Sequence, residues 1–421
     1  MNANNTRVQR VEDTIKQAWF QEAIRDKEVD LFLVIGHAPV RSIEYDAIYR
    51  EIRGIRWDTP IQFFGGHYHI RDYVRYDSKA YGLASGRFME TIGFMSIDGL
   101  STGRRQLKPA LAAPRFNRKY IDNNLLSFYH HTSRDEESFP TEHGRNVSLL
   151  IQQSRTDLQL DQVFGCAPRD LWMFRAKYPG DDNIYTWLEK EVLPESLTDV
   201  SRAGTPALVV VNTGAIRFDI FKGPFTQDTT YIVSPFTSGF RYVKDIPYDK
   251  AKFLVEVLNR QHEILADARH PAGWQLTPPE QSAPTLDFTE KGDLALSIRP
   301  DAGFLANQAS LMSGGYAEPN LFPGYTTTDD GGKDGDDTVH SPITYYSVPS
   351  CIQALASNSS GTPETVDLVY IDFIEPYVAF AAKFSRIAVD FSRDSDVYMP
   401  NATLTSLISD WVKGHWTCGE A

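Results

Sequence analysis

Three histidines carry the pattern most able to do chemistry. His37 follows Gly36 in I-G-H-A-P-V, and His67 and His69 follow Gly65 and Gly66 in F-F-G-G-H-Y-H. Neutral imidazole nitrogens at this kind of spacing are donors for a divalent ion, and a shell of three leaves a position open for water or substrate. Glycines at 36, 65 and 66 let the backbone turn sharply and approach whatever the imidazoles hold. A second group of residues lies far downstream, in A-L-V-V-V-N-T-G-A-I-R-F-D and S-P-F-T-S-G-F. There Gly214 permits a tight turn that presents Asn212 and Arg217. A guanidinium grips phosphate with two parallel donors. Phe236, just after Pro235, offers a flat face on which a base can stack.

These residues need elements to hold them. Val29–Ile35 and Ile61–Phe64 are apolar runs of strand length. Between them, Ser42–Arg53 places Ile43, Ala47, Ile48 and Ile52 at helical spacing. A strand–helix–strand unit of this length makes the strands parallel neighbours. Their carboxyl ends then share one edge of the sheet, where open α/β sheets place ligands. Val11–Asp26 reads as one amphipathic helix and Thr91–Asp98 as an antiparallel edge strand. Ala207–Val211 is a β-branched strand, Tyr248–Leu265 a helix, Thr277–Ser310 further strands, and Leu404–Gly414 a last helix. His130, His131 and His143 have no partner motif and read as structural or solvated. The Gly- and Asp-dense stretch 324–340 lacks the closing Glu of an EF-hand.

The motifs G-H-x-P-V and G-G-H-x-H resemble the last two of the five that build the two-metal site of calcineurin-like metallophosphoesterases, in the 5′-nucleotidase branch. The family order is D-x-H, G-D-x-x-D, G-N-H-[DE], G-H and G-H-x-H, and the first three are not found in these 421 residues. The stretch around N-T-G-A-I-R resembles the N-x-G-x-I-R pattern of the family's second domain. The resemblance implies an α/β fold: the C-terminal half of a four-layer αββα sandwich over 1–110, a connecting region over 111–146, a 5′-nucleotidase-type C-terminal α/β domain over 147–400 and a tail over 401–421. It implies His37, His67 and His69 as metal ligands, with His37 and His67 on one ion and His69 on the other. It implies Asn212, Arg217 and Phe236, and more loosely Arg169, as substrate-binding residues. The catalytic dyad belongs to the motifs not found, so no catalytic residue is assigned. In its complete form the family uses two divalent ions (Zn, Mn, Co or Fe) to hydrolyse phosphate monoesters, often nucleotides. These residues alone are expected to hold at most one ion, weakly. The expected function is the C-terminal part of a nucleotide phosphoester hydrolase, inactive without an upstream half. The alternative is a catalytically dead module that binds nucleotides or protein partners. Segment 324–340 sits where the family has a nucleoside-binding F-L-x-x-G-G-D-G loop. Gly335, Asp336 and Asp337 match it in part and the aromatic does not, so a solvated acidic loop remains the other reading.

Composition narrows the partners. A net charge of −13 argues against nucleic acid, whose backbone demands a basic surface. A small phosphorylated substrate such as a nucleotide is compatible, because a metal brings its own positive charge. Cys166, Cys351 and Cys418 allow at most one bridge and leave one thiol. The longest apolar runs, such as Leu31–Ile35, are too short to span a bilayer. Sequons stand at Asn4, Asn146, Asn358 and Asn401, against roughly two expected by chance. The excess points to the secretory route, vacuolar or extracellular. Met1–Arg10 is no signal peptide, so any signal is expected upstream.

Overall fold

A computed structural model describes residues 7–100, 114–197, 202, 204–259, 276–282, 321–323, 327–340, 343–357 and 361–419. The sequons at Asn4 and Asn358, and the strands expected between 283 and 310, lie outside the described residues. The chain divides into two compact units. The first is built from the chain up to Arg145 and from the later segment Pro323–Ile343. The second takes the chain from Asn146 onward on either side of that segment.

In the first unit the predicted strand–helix–strand forms. Strands Phe32–Ile35 and Ile61–Gly65 pair in parallel, Phe32 opposite Ile61 and Ile35 opposite Phe64. The helix between them, Ile43–Ile55, starts where the Ser42 hydroxyl accepts the Tyr45 N–H, capping one of its orphan donors. Strand Ala80–Ser85 adds parallel to Ile61–Gly65, and Arg71–Asp77 adds antiparallel to it. One sheet face packs Ile61, Phe63, Val74 and Ala84 against Tyr45 and Ile52 of the helix. On the other, Tyr73 and Leu83 meet Tyr120, which belongs to a two-stranded ribbon of Thr91–Asp98 and Arg115–Asp122. The layers run helix, sheet, second β layer. The helix expected over 11–26 is two short ones, Val11–Thr14 and Ala18–Arg25, because Gln17 between them adopts extended backbone.

The fifth strand of this sheet comes from far away in sequence. Thr327–Asp329 pairs in parallel with Arg71–Tyr73, so the Gly/Asp stretch belongs to the first unit and not to a contiguous second domain. The reason is electrostatic as well as backbone pairing. Asp329 meets Arg118 at 2.6 Å, Asp330 meets Arg41 at 2.8 Å, Asp336 lies 3.6 Å from Arg71, and Asp337 meets His131 at 2.6 Å. Four acids of the segment each have a basic partner in the first unit. Its acids anchor it to the first unit, while Gly331, Gly332, Lys333 and Asp334 between them are exposed.

The second unit is organised on a sheet in the order Cys351–Ala356, Ala207–Asn212, Thr365–Ile371, Phe240–Pro247, Asp396–Tyr398. Strand Ala207–Asn212, flanked on both edges, is apolar from Ala207 to Val211 because both faces are covered. Ala207, Val209 and Val211 point into one core with Trp187, Ile408 and Trp411. Leu208 and Val210 point into the other with Leu254, Val378 and Ala381. Residues after 400 are no separate tail. Helix Leu404–His415 packs its Leu404, Leu407, Ile408 and Val412 into the first of these cores, and Cys418 is disulfide-bonded to Cys166. Cys351 is buried as a free thiol. The bridge spans 252 residues, so cutting it frees a large loop in the unfolded chain. Cys166→Ser is expected to cost about 2–4 kcal/mol, read as a lowered urea midpoint that added reductant does not lower further. No helix among the described residues is long and apolar enough to cross a membrane.

Candidate active site

The two Gly-His strand ends are tied together by one tyrosine. The Tyr45 hydroxyl, reaching up from the helix, lies 2.9 Å from the Gly36 carbonyl and 2.8 Å from the Phe64 carbonyl. Gly36 N–H donates to Phe64 O, and Gly66 N–H to Ala38 O. A side chain at Gly65 would place its Cβ 2.5 Å from the Ala38 carbonyl, so only glycine permits this approach. The left-handed backbone falls on the histidines themselves, with φ 76° at His67 and 60° at His69. Such conformations are costly for residues with a side chain and gather at functional sites. They aim the two rings differently. The His67 ring meets His37 edge to face at 5.4 Å between centres, whereas His69 lies against Phe88 at 5.7 Å.

Arg71 and Asp72, which follow the histidines directly, are buried. Asp72 receives Arg41 through both carboxylate oxygens, at 3.0 Å from Nε and 2.9 Å from Nη2. Burial pushes the Asp72 carboxyl up to about 6, against the lowering effect of Arg41. Arg71 stacks over the Tyr120 ring at 5.2 Å. Its guanidinium nitrogens donate no hydrogen bond to any described residue, and its counter-charge is Asp336. The sequence pattern gave no sign of Arg41 or Tyr45, nor that Asp336 pairs with Arg71, because their partners lie on other elements.

In the second unit, the turn after strand Ala207–Asn212 holds the other group of residues. Gly214 approaches the Leu276 carbonyl so closely that a Cβ would stand 2.8 Å from it. Asn212 is buried, its side-chain amide donating to Leu276 O at 3.2 Å. It therefore holds the turn, where the sequence pattern has it presented outward. Arg217 emerges beyond the turn with its guanidinium over the Phe236 ring at 5.0 Å. Burial lowers its pKa, with Glu280 and the buried Tyr185 opposing, yet a guanidinium stays charged in proteins. Phe236 is 37% exposed, so part of its face is open. Arg169 keeps different company: Asp181 O at 3.2 Å, Asp182 at 3.6 Å and Glu191 at 3.8 Å.

Residues 170–379 match a family model described as the NAD nucleotidase C-terminal domain. The crystal structure of a 5′-nucleotidase from Candida albicans superposes with a TM-score of 0.76 and 31% identity, covering 98% of this chain and 69% of that one. The chain belongs to the 5′-nucleotidase family. Two curated fungal relatives agree in extent. An uncharacterized protein of Schizosaccharomyces pombe is 36% identical over 398 residues, 90% of this chain and 58% of its own length. A protein of Arthroderma benhamiae named as secreted is 34% identical over 413 residues, 89% of this chain and 60% of its own. The chain thus spans about three-fifths of these relatives.

A 5′-nucleotidase fold of the metallophosphoesterase type implies metal, and the donor set can be tested for fit. Two imidazoles sharing one ion at about 2.0–2.1 Å carry their ring centres about 5 Å apart; His37 and His67 stand at 5.4 Å. They fit as two of four donors. Among the described residues no group of three or more His, Cys, Asp or Glu side chains could hold an ion, so the remaining donors of a full shell are not supplied here.

Proposed function

We propose that the chain serves the hydrolysis of nucleotide phosphomonoesters, with the second unit binding the nucleotide and the histidine edge of the first contributing metal ligands. The observation that supports this most is the Arg217–Phe236 stack. It sets a permanent cation beside a partly open aromatic face, matched to a phosphate next to a planar base. Asn212 supports the reading as the clamp that fixes the turn before Arg217. Arg169, neutralised by Asp182 and Glu191, is proposed only as an outer contact.

His37 and His67 would hold one divalent ion, and His69 would serve a second. Such ions supply positive charge to the phosphoryl group and activate water for in-line attack. The chain's own part is orientation: Tyr45 fixes the two strand ends, Gly65 allows their close approach, and the left-handed backbone at His67 and His69 separates the two imidazoles. These 421 residues alone are proposed to bind nucleotide without turning it over, since stacking and charge orient a phosphate but activate no water. In equilibrium dialysis the chain is expected to hold at most one Zn²⁺, weakly, and His67→Ala to lose it. Two tightly held ions per chain would overturn the assignment of His37 and His67 to a single weakly held ion.

The functional test is a turnover assay with AMP and nitrophenyl phosphate in Mn²⁺, Co²⁺ or Zn²⁺. The expected result is no hydrolysis by the 421-residue chain, and activity once a polypeptide carrying D-x-H, G-D-x-x-D and G-N-H is fused upstream. That activity should fall at least about 100-fold in His69→Ala, as losses around metal ligands do. Hydrolysis by the chain alone that disappears in His37→Ala would refute the proposal. The secretory route is proposed as the setting, supported by the Cys166–Cys418 bridge, which an oxidising compartment maintains, and by the sequons.

A further inference from the structure

We propose that Asn146 and Asn401 carry N-linked glycans. This rests on the secretory reading and adds to it two modified positions. Both acceptor side chains are exposed. Asn146 stands in helix Glu142–Asp157, which buries none of its residues. Just beyond it, Leu149, Leu150 and Ile151 are 62%, 67% and 56% exposed. A bulky hydrophilic group at this position would mask an apolar run that the described fold leaves open to water.

Asn401 occupies a turn between strand Asp396–Tyr398 and helix Leu404–His415, with φ 71°. Left-handed backbone favours Gly, Asn and Asp, so asparagine also suits the turn for its own sake. What separates a sequon from a turn residue is the hydroxyl two positions on, and here Thr403 has a second task. It caps the last helix, its Oγ1 accepting the Ser406 N–H at 3.1 Å while its own N–H donates to the Ser406 hydroxyl at 2.9 Å. A hydroxyl engaged as a cap is not available to a transferase. Glycan addition at Asn401 must therefore precede capping of the first turn of that helix. Thr403 serves the two roles in sequence: acceptor signal first, helix cap afterwards.

The test is peptide mass spectrometry of the protein recovered from its own cells, after release by a peptide N-glycosidase, an amidase that leaves Asp, in heavy-oxygen water, with fractionation of the same cells. The expected result is conversion of Asn146 and Asn401 to labelled Asp in protein from secretory fractions or medium. Protein in those fractions with either asparagine unmodified overturns the assignment for that residue while leaving the secretory reading intact. Protein confined to the cytosol overturns both. Three variants separate the roles of Thr403. Asn401→Asp should lose one glycan and keep the melting temperature of the deglycosylated protein, since aspartate also suits left-handed backbone. Thr403→Ala should lose the glycan and melt lower, while Thr403→Ser should keep both. A Thr403→Ala protein that still carries the Asn401 glycan would refute the sequential use of that hydroxyl.

Discussion

Replacing Arg217 with alanine is expected to weaken the binding of AMP to the 421-residue chain about 100-fold. A hydrogen bond to a charged group contributes roughly 1.5–3 kcal/mol, and 1.4 kcal/mol is a factor of ten in affinity. Arg217 is pre-oriented by its stack on Phe236 and by its own N–H, which donates to Val233 O at 2.8 Å. Little side-chain freedom is then left to lose on binding. Lysine should not rescue, because a point charge lacks the planar fork and the stack. Calorimetric titration at fixed salt separates the two halves of the site. Arg217→Ala should weaken inorganic phosphate and AMP alike, whereas Phe236→Ala should weaken AMP and spare phosphate. A stacked base is worth about 1–3 kcal/mol, so the Phe236 effect should be tenfold or more. Wild-type affinity for AMP in Arg217→Ala would remove this pair from the nucleotide site.

The second large effect concerns the first unit and involves no ligand. Asp336→Ala should destabilise it by about 3–5 kcal/mol, the usual consequence of stripping a buried charge of its partner. Arg71 is 0% exposed, and its guanidinium donates no hydrogen bond to any described residue. The Tyr120 ring beneath it offsets about 2 kcal/mol when desolvated, too little to replace a carboxylate. Burial raises the Asp336 pKa and the Arg71 charge opposes that rise, as expected of a counter-ion. The decisive comparison is the double variant Arg71→Met with Asp336→Ala. An apolar replacement of the whole pair should recover most of the loss. Urea unfolding of the single variant within about 1 kcal/mol of wild type would show that Asp336 is not the charge that keeps Arg71 buried.

The sequence was legible where structure follows from local pattern. Ile43, Ala47, Ile48 and Ile52 at helical spacing, between two apolar runs, were enough to place a helix between parallel strands and so bring His37 beside His67. The fully apolar Ala207–Val211 run announced a strand covered on both faces. Other features were not legible because they depend on distant partners. Asn212 beside a glycine looks like a ligand-facing amide until Leu276, sixty-four residues away, takes it up. The acids at 329, 330, 336 and 337 look like a solvated or ligand-holding loop, since nothing nearby in sequence names Arg118, Arg41, Arg71 and His131 as their partners. The left-handed backbone at His67 and His69 was equally hidden: the adjoining glycines drew attention to themselves, and the strain fell one residue later.

The late arrival of strand Thr327–Asp329 sets the order in which the molecule can be finished during synthesis. The first unit is translated first, yet its sheet stays one strand short, and Arg71 lacks its counter-charge, until more than half of the second unit's sequence has emerged. Its native pairing joins Arg75 to Asp330 across 255 residues, a long closure to make before any contact repays it. The nascent chain must therefore wait in a partly assembled state with an unpaired strand edge, the kind of surface on which chaperones act and chains misassociate. Neither unit can be lifted out by a single cut. A fragment ending near Arg145 would carry the histidines on a sheet without its border strand. Faithful isolation of that unit would need the 323–343 segment spliced back onto it, through a linker that replaces the intervening chain.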